Sequence, residues 1–133
     1  MITVTNTINA SIEKVWEFWT TPEHITKWNN ASPNWHTPYA ENDLVVGKRF
    51  KSTMAAKDGS ISFDFEGTYT KIEKHSTIVY VLDDNRKVQI SFEKTENGIK
   101  IIESFDPENQ NTEELQKNGW QAILDNFKKY VEQ

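Results

Sequence analysis

One acidic residue is placed for acid–base chemistry. Glu103 occupies the same side of a predicted strand as three apolar residues, Ile99, Ile101 and Phe105. If that side faces the core, the carboxyl is buried, and its pKa rises unless it finds a partner. A strand bulge would instead turn the side chain towards water. The partner would be Arg86 or a bound polar group, and the sequence does not select between them.

Histidine is the other residue type suited to proton transfer near neutral pH. The three histidines, His24, His36 and His75, lie on separate segments, and we expect each to face solvent. His36 follows Trp35 within residues 29–43, which we predict to be a long loop because the stretch holds two prolines and four asparagines. Loops of this length are often functional. The alternative interpretation is a rim histidine without a role.

Other catalytic and metal-binding patterns are missing from the sequence. It has no Gly-rich phosphate loop, no nucleophile elbow and no His-x-x-x-His pair. It also has no cysteine, which excludes disulfides, thiolate metal sites and cysteine nucleophiles. We therefore expect no metal and no cofactor, assign no catalytic residue, and favour a binding protein over an enzyme.

The many large aromatic side chains suggest a second function, in which they line a pocket for a ligand. Aromatic residues make up 12% of the chain, including five Trp and seven Phe. They either pack as a core or leave a void for an apolar ligand. The predicted wall consists of Trp28, Phe63, Phe65, Tyr80, Phe92, Phe105, Trp120, Leu124 and Phe127. Trp35 and His36 would gate its mouth, and Glu103 would anchor a polar end of the ligand.

The first elements that would position these side chains are a strand and two short helices. Residues 2–8 alternate β-branched apolar residues with threonine, which predicts a strand. A helix is predicted to start at Ala10-Ser11. Thr21 then serves as a cap and Pro22 takes the first position of a second helix, which ends near Trp28.

The middle of the chain predicts an antiparallel meander. Turn signals at residues 57–60, 73–76, 83–85 and 96–98 separate runs of alternating apolar and polar residues. Hairpin-connected strands form antiparallel sheets that cover one face and leave the other wet.

A long helix closes the chain. Asn111 or Thr112 is its predicted N-cap. Its apolar stripe is Leu115, Trp120, Ile123, Leu124, Phe127 and Val131. The resulting fold class is α+β, with a curved antiparallel sheet of six to seven strands wrapped around the C-terminal helix.

The net charge and the distribution of apolar residues limit the classes of partner that we expect for this chain. A net charge of −5 repels nucleic acid and anionic membranes. No apolar run approaches membrane-spanning length, and the N-terminus lacks the layout of a signal peptide. We therefore expect one cytoplasmic domain spanning residues 1–133, as a monomer or weak homodimer.

Several segments together resemble a known family. Residues 119–132, 10–16 with 19–25, and 65–69 resemble activator-of-heat-shock-protein-90-ATPase-like domains of the START or SRPBCC superfamily, also called helix-grip or birch-pollen-allergen-like. Residues 35–38 and 40–44 resemble one bacterial branch. The resemblance covers nearly the whole chain. It implies a sheet that grips the C-terminal helix around a hydrophobic cavity.

The resemblance leads to three hypotheses. The first is binding of an apolar or aromatic small molecule in the cavity. The second is a cyclase, dehydratase or hydrolase that uses Glu103 and His36 as acid and base, which requires both side chains to point into one cavity. The third is protein binding, with contact to a chaperone, which calls for an exposed apolar patch.

Overall fold

The computed structural model covers residues 1–133 and contains seven strands and three helices. In chain order these are β1 (Ile2–Ile8), α1 (Ile12–Thr20), α2 (Pro22–Trp28), β2 (Trp35–Asn42), β3 (Arg49–Ala56), β4 (Ser62–Glu73), β5 (Thr77–Leu82), β6 (Lys87–Thr95), β7 (Gly98–Phe105) and α3 (Glu113–Glu132). The predicted α+β class, the two short helices after β1 and the long closing helix are confirmed.

All seven strands form one antiparallel sheet in the order β1-β7-β6-β5-β4-β3-β2. Strands β2 to β7 follow one another as a meander, and β1 adds to the far side of β7. Helices α1 and α2 therefore carry the chain from one edge of the sheet to the other. The sheet curls into a half-barrel, and α3 packs against it. Register shifts in β2 and β4 help the sheet to bend.

The prediction of a loop over residues 29–43 is wrong for most of that stretch, because Trp35–Asn42 forms β2. Proline cannot donate to a strand ladder and is tolerated mainly at a sheet edge. Pro38 meets this condition, since β2 is an edge strand whose register shifts between His36 and Tyr39. The proline is tolerated because β2 lies at the edge of the sheet, and the sequence alone does not reveal this position.

Helix α3 keeps most of its predicted stripe. Thr112 is the N-cap, and its hydroxyl accepts a hydrogen bond from the Leu115 amide at 3.1 Å. Leu115 itself is 59% exposed, so its place in the stripe is corrected. The buried residue in that turn is Gln116, whose amide hydrogen-bonds the backbone of Glu108 and Asn111. None of the three helices is both long and apolar enough to cross a membrane.

Two histidines are more enclosed than predicted. His24 is half-buried, stacks on Phe18 with ring centroids 3.9 Å apart, and places Nδ1 2.7 Å from the hydroxyl of Tyr130. His75 is also half-buried, with its ring edge-on to Trp16. The expectation that both face solvent is wrong, because each is covered by an aromatic residue from another part of the fold.

Candidate functional site

A cavity of about 310 Å³ lies between the inner face of the sheet and the helices. Every element except β1 contributes to its wall. Thirteen of its twenty lining residues are hydrophobic. For comparison, an engineered apolar cavity of about 150 Å³ admits benzene. The predicted hollow is therefore present, and it is large enough for a small organic molecule.

Half of the predicted site residues line this cavity. They are Trp28, Phe63, Phe65, Tyr80, Glu103 and Trp120. Phe63 is 51% exposed, which places it at the mouth. Trp120 projects from α3 and Phe65 from β4, and their rings meet edge to face at 6.1 Å. Helix and sheet thus contribute aromatic faces to the same wall.

Four predicted wall residues belong instead to the solid core, and their placement is corrected. Phe92, Phe105, Leu124 and Phe127 are all buried and do not reach the cavity. They support the wall from behind. Phe105 stacks flat on Trp120, with ring centroids 3.9 Å apart and planes 10° apart. Phe127 packs edge-on against the wall residues Trp19 and Trp28.

Trp35 and His36 do not line the cavity, so the structure does not place the predicted gate there. Side chains alternate along a strand. Thr37 is buried, and its neighbour His36 is consequently exposed. The ring of Trp35 lies 5.9 Å from that of Phe63, on the side of the mouth. His36 and Glu103 therefore do not share a cavity, and an acid–base pair of the two has no geometric support.

Glu103 points inward, as one of the two sequence interpretations predicted. It is 6% exposed and lines the cavity. Its cross-strand neighbours are Val4 on β1 and Ile90 on β6, and pairing continues unbroken on both sides, so no bulge turns it out. Burial raises the pKa of its carboxyl to about 8. The carboxyl is thus mainly neutral at pH 7.

Glu103 does not pair with Arg86, which was one of the two partners that the sequence left open. Arg86 lies in the turn between β5 and β6, and its Nε donates to Asp84 Oδ2 at 2.7 Å. Asp84 is only two residues away, so the turn itself supplies the partner. Glu103 forms no hydrogen bond or ion pair with any residue of the chain. Its carboxyl is left facing the cavity.

Two tyrosines add polar groups to the same wall. Tyr80 is buried, lines the cavity and has no hydrogen-bond partner for its hydroxyl. Its pKa is raised well above the usual value, chiefly by burial and further by the nearby Glu103 charge. Tyr69 donates to Asn42 Oδ1 at 2.6 Å, and burial raises its pKa as well. Neither phenol ionises near neutral pH.

Sequence reasoning missed several lining residues. Tyr69 shares strand parity with Phe65, and this alternation was a usable signal for it. Phe50, Ser52 and Met54 likewise alternate along β3. No local pattern identifies Asn42, because its contact with Tyr69 joins β2 to β4 across the sheet. No group of three or more His, Asp or Glu side chains is arranged to hold a metal.

The sequence matches a family model described as Activator of Hsp90 ATPase homolog 1-like protein over residues 9–132. The chain belongs to this family. An AHSA1-like protein from Aeromonas hydrophila is 47% identical, with a TM-score of 0.92, and the match covers 98% of this chain and 91% of that one. The protein Chr148 from Cytophaga hutchinsonii is 55% identical, with a TM-score of 0.86 and the same coverage.

A more distant structure shares the fold of this AHSA1-like domain. The protein CV1439 from Chromobacterium violaceum is 21% identical, with a TM-score of 0.87 over 99% of this chain and 97% of that one. None of the curated proteins matches the sequence. The predicted resemblance to the AHSA1-like members of the SRPBCC superfamily is confirmed.

Proposed function

We propose that this AHSA1-like domain binds an apolar or aromatic small molecule between the sheet and α3. The observation that carries the proposal is the cavity of about 310 Å³, with its mostly hydrophobic wall. Protein interiors are normally filled to the density of organic crystals. Ligand pockets, by contrast, are apolar hollows with a few polar groups that fix orientation. This cavity therefore resembles a ligand pocket rather than a filled core.

The wall is held in place without a ligand, which favours binding. Phe50 packs edge-on against Tyr80 at 4.6 Å and lies 5.4 Å from Tyr69. A Cβ atom at Gly67 would lie 2.9 Å from the Phe50 ring, so only glycine lets this ring lie over β4. A preformed wall does not have to be ordered on binding, and that saves part of the entropic cost.

Thermal unfolding with a panel of apolar ligands tests the proposal. A ligand that binds only the folded state stabilises it by about 2.7 kcal/mol at a hundredfold excess over Kd. The panel should contain naphthalene derivatives, medium-chain aliphatic molecules and sterols, so that both shape and size vary. Failure of every member to raise Tm, together with no heat of binding in calorimetry, would contradict the proposal.

Contact with a chaperone stays a prediction for this chain. The family takes its description from an activator of the Hsp90 ATPase. Pull-down with the host's own chaperone tests the contact independently of small-molecule binding.

A further inference from the structure

The cavity wall is mostly apolar, but two of its side chains carry a polar group that has no hydrogen-bond partner in the protein. Glu103 comes from β7 and Tyr80 from β5, and both are buried. Neither makes a hydrogen bond to any other residue. No side-chain N or O atom that is closed off from water lacks a hydrogen-bond partner. The oxygens of Glu103 and Tyr80 are therefore open to the cavity, where a ligand can supply the partner that the protein does not.

The strands cannot supply the missing partners. Glu103 lies between Val4 and Ile90, and Tyr80 lies opposite Val88 on one side and Tyr69 on the other. The hydroxyl of Tyr69 is already engaged with Asn42. Both residues nevertheless line the cavity, Glu103 from β7 and Tyr80 from β5, and these two strands flank β6. Their free groups therefore face the same cavity.

We infer that the ligand, whose binding is the function proposed above, carries a neutral carbonyl oxygen that accepts hydrogen bonds from the Glu103 carboxyl and the Tyr80 hydroxyl. The apolar body of the ligand then lies against Phe65 and Trp120. The matching chemical class is an aromatic or alicyclic ketone, aldehyde, ester or amide. Each hydroxyl gains an acceptor, and no charge is buried.

The charged groups around the cavity argue against an ionic ligand. Arg86 at the β5–β6 turn lines the cavity and is paired with Asp84 through Nε, and Glu41 on β2 also lies among the lining residues. The residues that line the cavity from α1, α2, α3, β3 and β6 are all uncharged. They are Trp19, Thr20, Ile25, Trp28, Trp120, Ile123, Phe50, Ser52, Met54 and Ile90. An ammonium ligand would require Glu103 to ionise in this apolar setting, and a carboxylate would have to share Arg86 with Asp84.

Calorimetry with four ligands of one shape tests the inference. They are acetylnaphthalene, isopropylnaphthalene, naphthylethylamine and naphthoate, which differ only in the group that would meet Glu103. At about pH 6, acetylnaphthalene should bind roughly tenfold more tightly than isopropylnaphthalene, the worth of about one hydrogen bond. The advantage should shrink as pH rises through about 8, because Glu103 then loses the proton that it donates.

Substitutions assign the effect to its residues. Glu103→Leu should abolish most of the advantage of acetylnaphthalene. Glu103→Gln should retain it, since an amide also donates, but should remove its pH dependence. Tyr80→Phe should reduce it. Glu93→Gln, which changes an exposed carboxylate on the outer face of β6, is the matched control and should change nothing.

Each outcome separates this inference from the proposed function. Equal binding of acetylnaphthalene and isopropylnaphthalene overturns the inference and leaves the binding function standing. Tightest binding of naphthylethylamine with affinity that rises with pH, or tightest binding of naphthoate, also overturns it. Failure of all four ligands to bind overturns the inference, and the binding function is overturned as well only if the aliphatic and sterol members of the wider panel also fail.

Discussion

Glu103 on β7 lies directly opposite Ile90 on β6, and both side chains line the cavity. With Val4 on its other side, the carboxyl stands in an apolar row that crosses three strands. No protein group compensates it there. Burial therefore raises its pKa to about 8, and this makes the stability of the domain depend on pH.

The folded state should lose stability between about pH 4.5 and pH 8 on account of Glu103. In this window the folded protein holds a proton that the unfolded chain, with a pKa of 4.5, releases. The contribution is complete below pH 4.5 and falls by about 1.4 kcal/mol per pH unit as pH rises, then levels off above pH 8. Urea unfolding across this range measures it.

Glu103→Gln is the reference for this measurement, because other carboxyls titrate as well. Hydrogen bonds and ion pairing lower the pKa of Asp84 and Glu132, and this adds stability that is lost only at acid pH. The difference between the parent protein and the variant isolates Glu103. Parallel stability curves for the two proteins would show that the Glu103 carboxyl is not desolvated.

Ser52→Phe should block the cavity from within. Ser52 is buried on β3, lines the cavity and lies opposite Phe65 in the ladder. A ring at this position occupies ligand space, so the affinity for naphthalene derivatives should fall by roughly tenfold or more, since one lost contact of about 1.4 kcal/mol is enough. Titration calorimetry measures the loss. Ser62→Phe, at an exposed position on β4 away from the wall, should bind normally.

Two glycine substitutions should have opposite effects on stability. Gly98 has φ +125°, and a Cβ atom there would overlap the carbonyl oxygen of Ile8, so Gly98→Ala should destabilise by about 2–4 kcal/mol. Gly119 lies within α3 with open space around it, so Gly119→Ala should stabilise by about 1 kcal/mol. Denaturant midpoints compare the two variants. A neutral Gly98→Ala would contradict the close approach of β7 to Ile8.

Tyr130→Phe should lower the unfolding free energy by about 1 kcal/mol, since it removes one part-buried hydrogen bond. The Tyr130 hydroxyl lies 2.7 Å from His24 Nδ1 and ties the end of α3 to α2. Chemical denaturation gives the value. Tyr39→Phe, which removes an exposed hydroxyl on β2, should leave stability within about 0.5 kcal/mol of the parent. Equal effects of the two variants would argue against the His24 contact.

Local signals explain what the sequence predicted correctly. Turn residues mark the hairpin at 57–60, capping residues mark the starts of the helices, and alternation marks the inner face of each strand. These features depend on neighbours in the chain. The inward orientation of Glu103 follows from the same alternation.

Alternation cannot say how far a side chain lies from the helix that covers it. Phe92 and Phe105 share the inner face with Tyr80 and Glu103, yet they are packed under α1 and α3 while the other two meet the cavity. The His24 contact joins residues 106 positions apart. Strand β2 was not predicted because it contains a proline, which a strand tolerates mainly at the edge of a sheet. All of these depend on tertiary position.

The indole N–H resonances test the central claim, which is that the cavity binds an apolar molecule. Trp19, Trp28 and Trp120 line the cavity, whereas Trp16 and Trp35 do not. Titration of the ¹⁵N-labelled protein with acetylnaphthalene, with each indole assigned by its Trp→Phe variant, should shift the first three resonances in a saturable manner. It should leave Trp16 unmoved, because that ring packs on His75 and Phe92 behind the wall. Shifts confined to Trp35, or no shift at any concentration up to the ligand's solubility, would contradict the account.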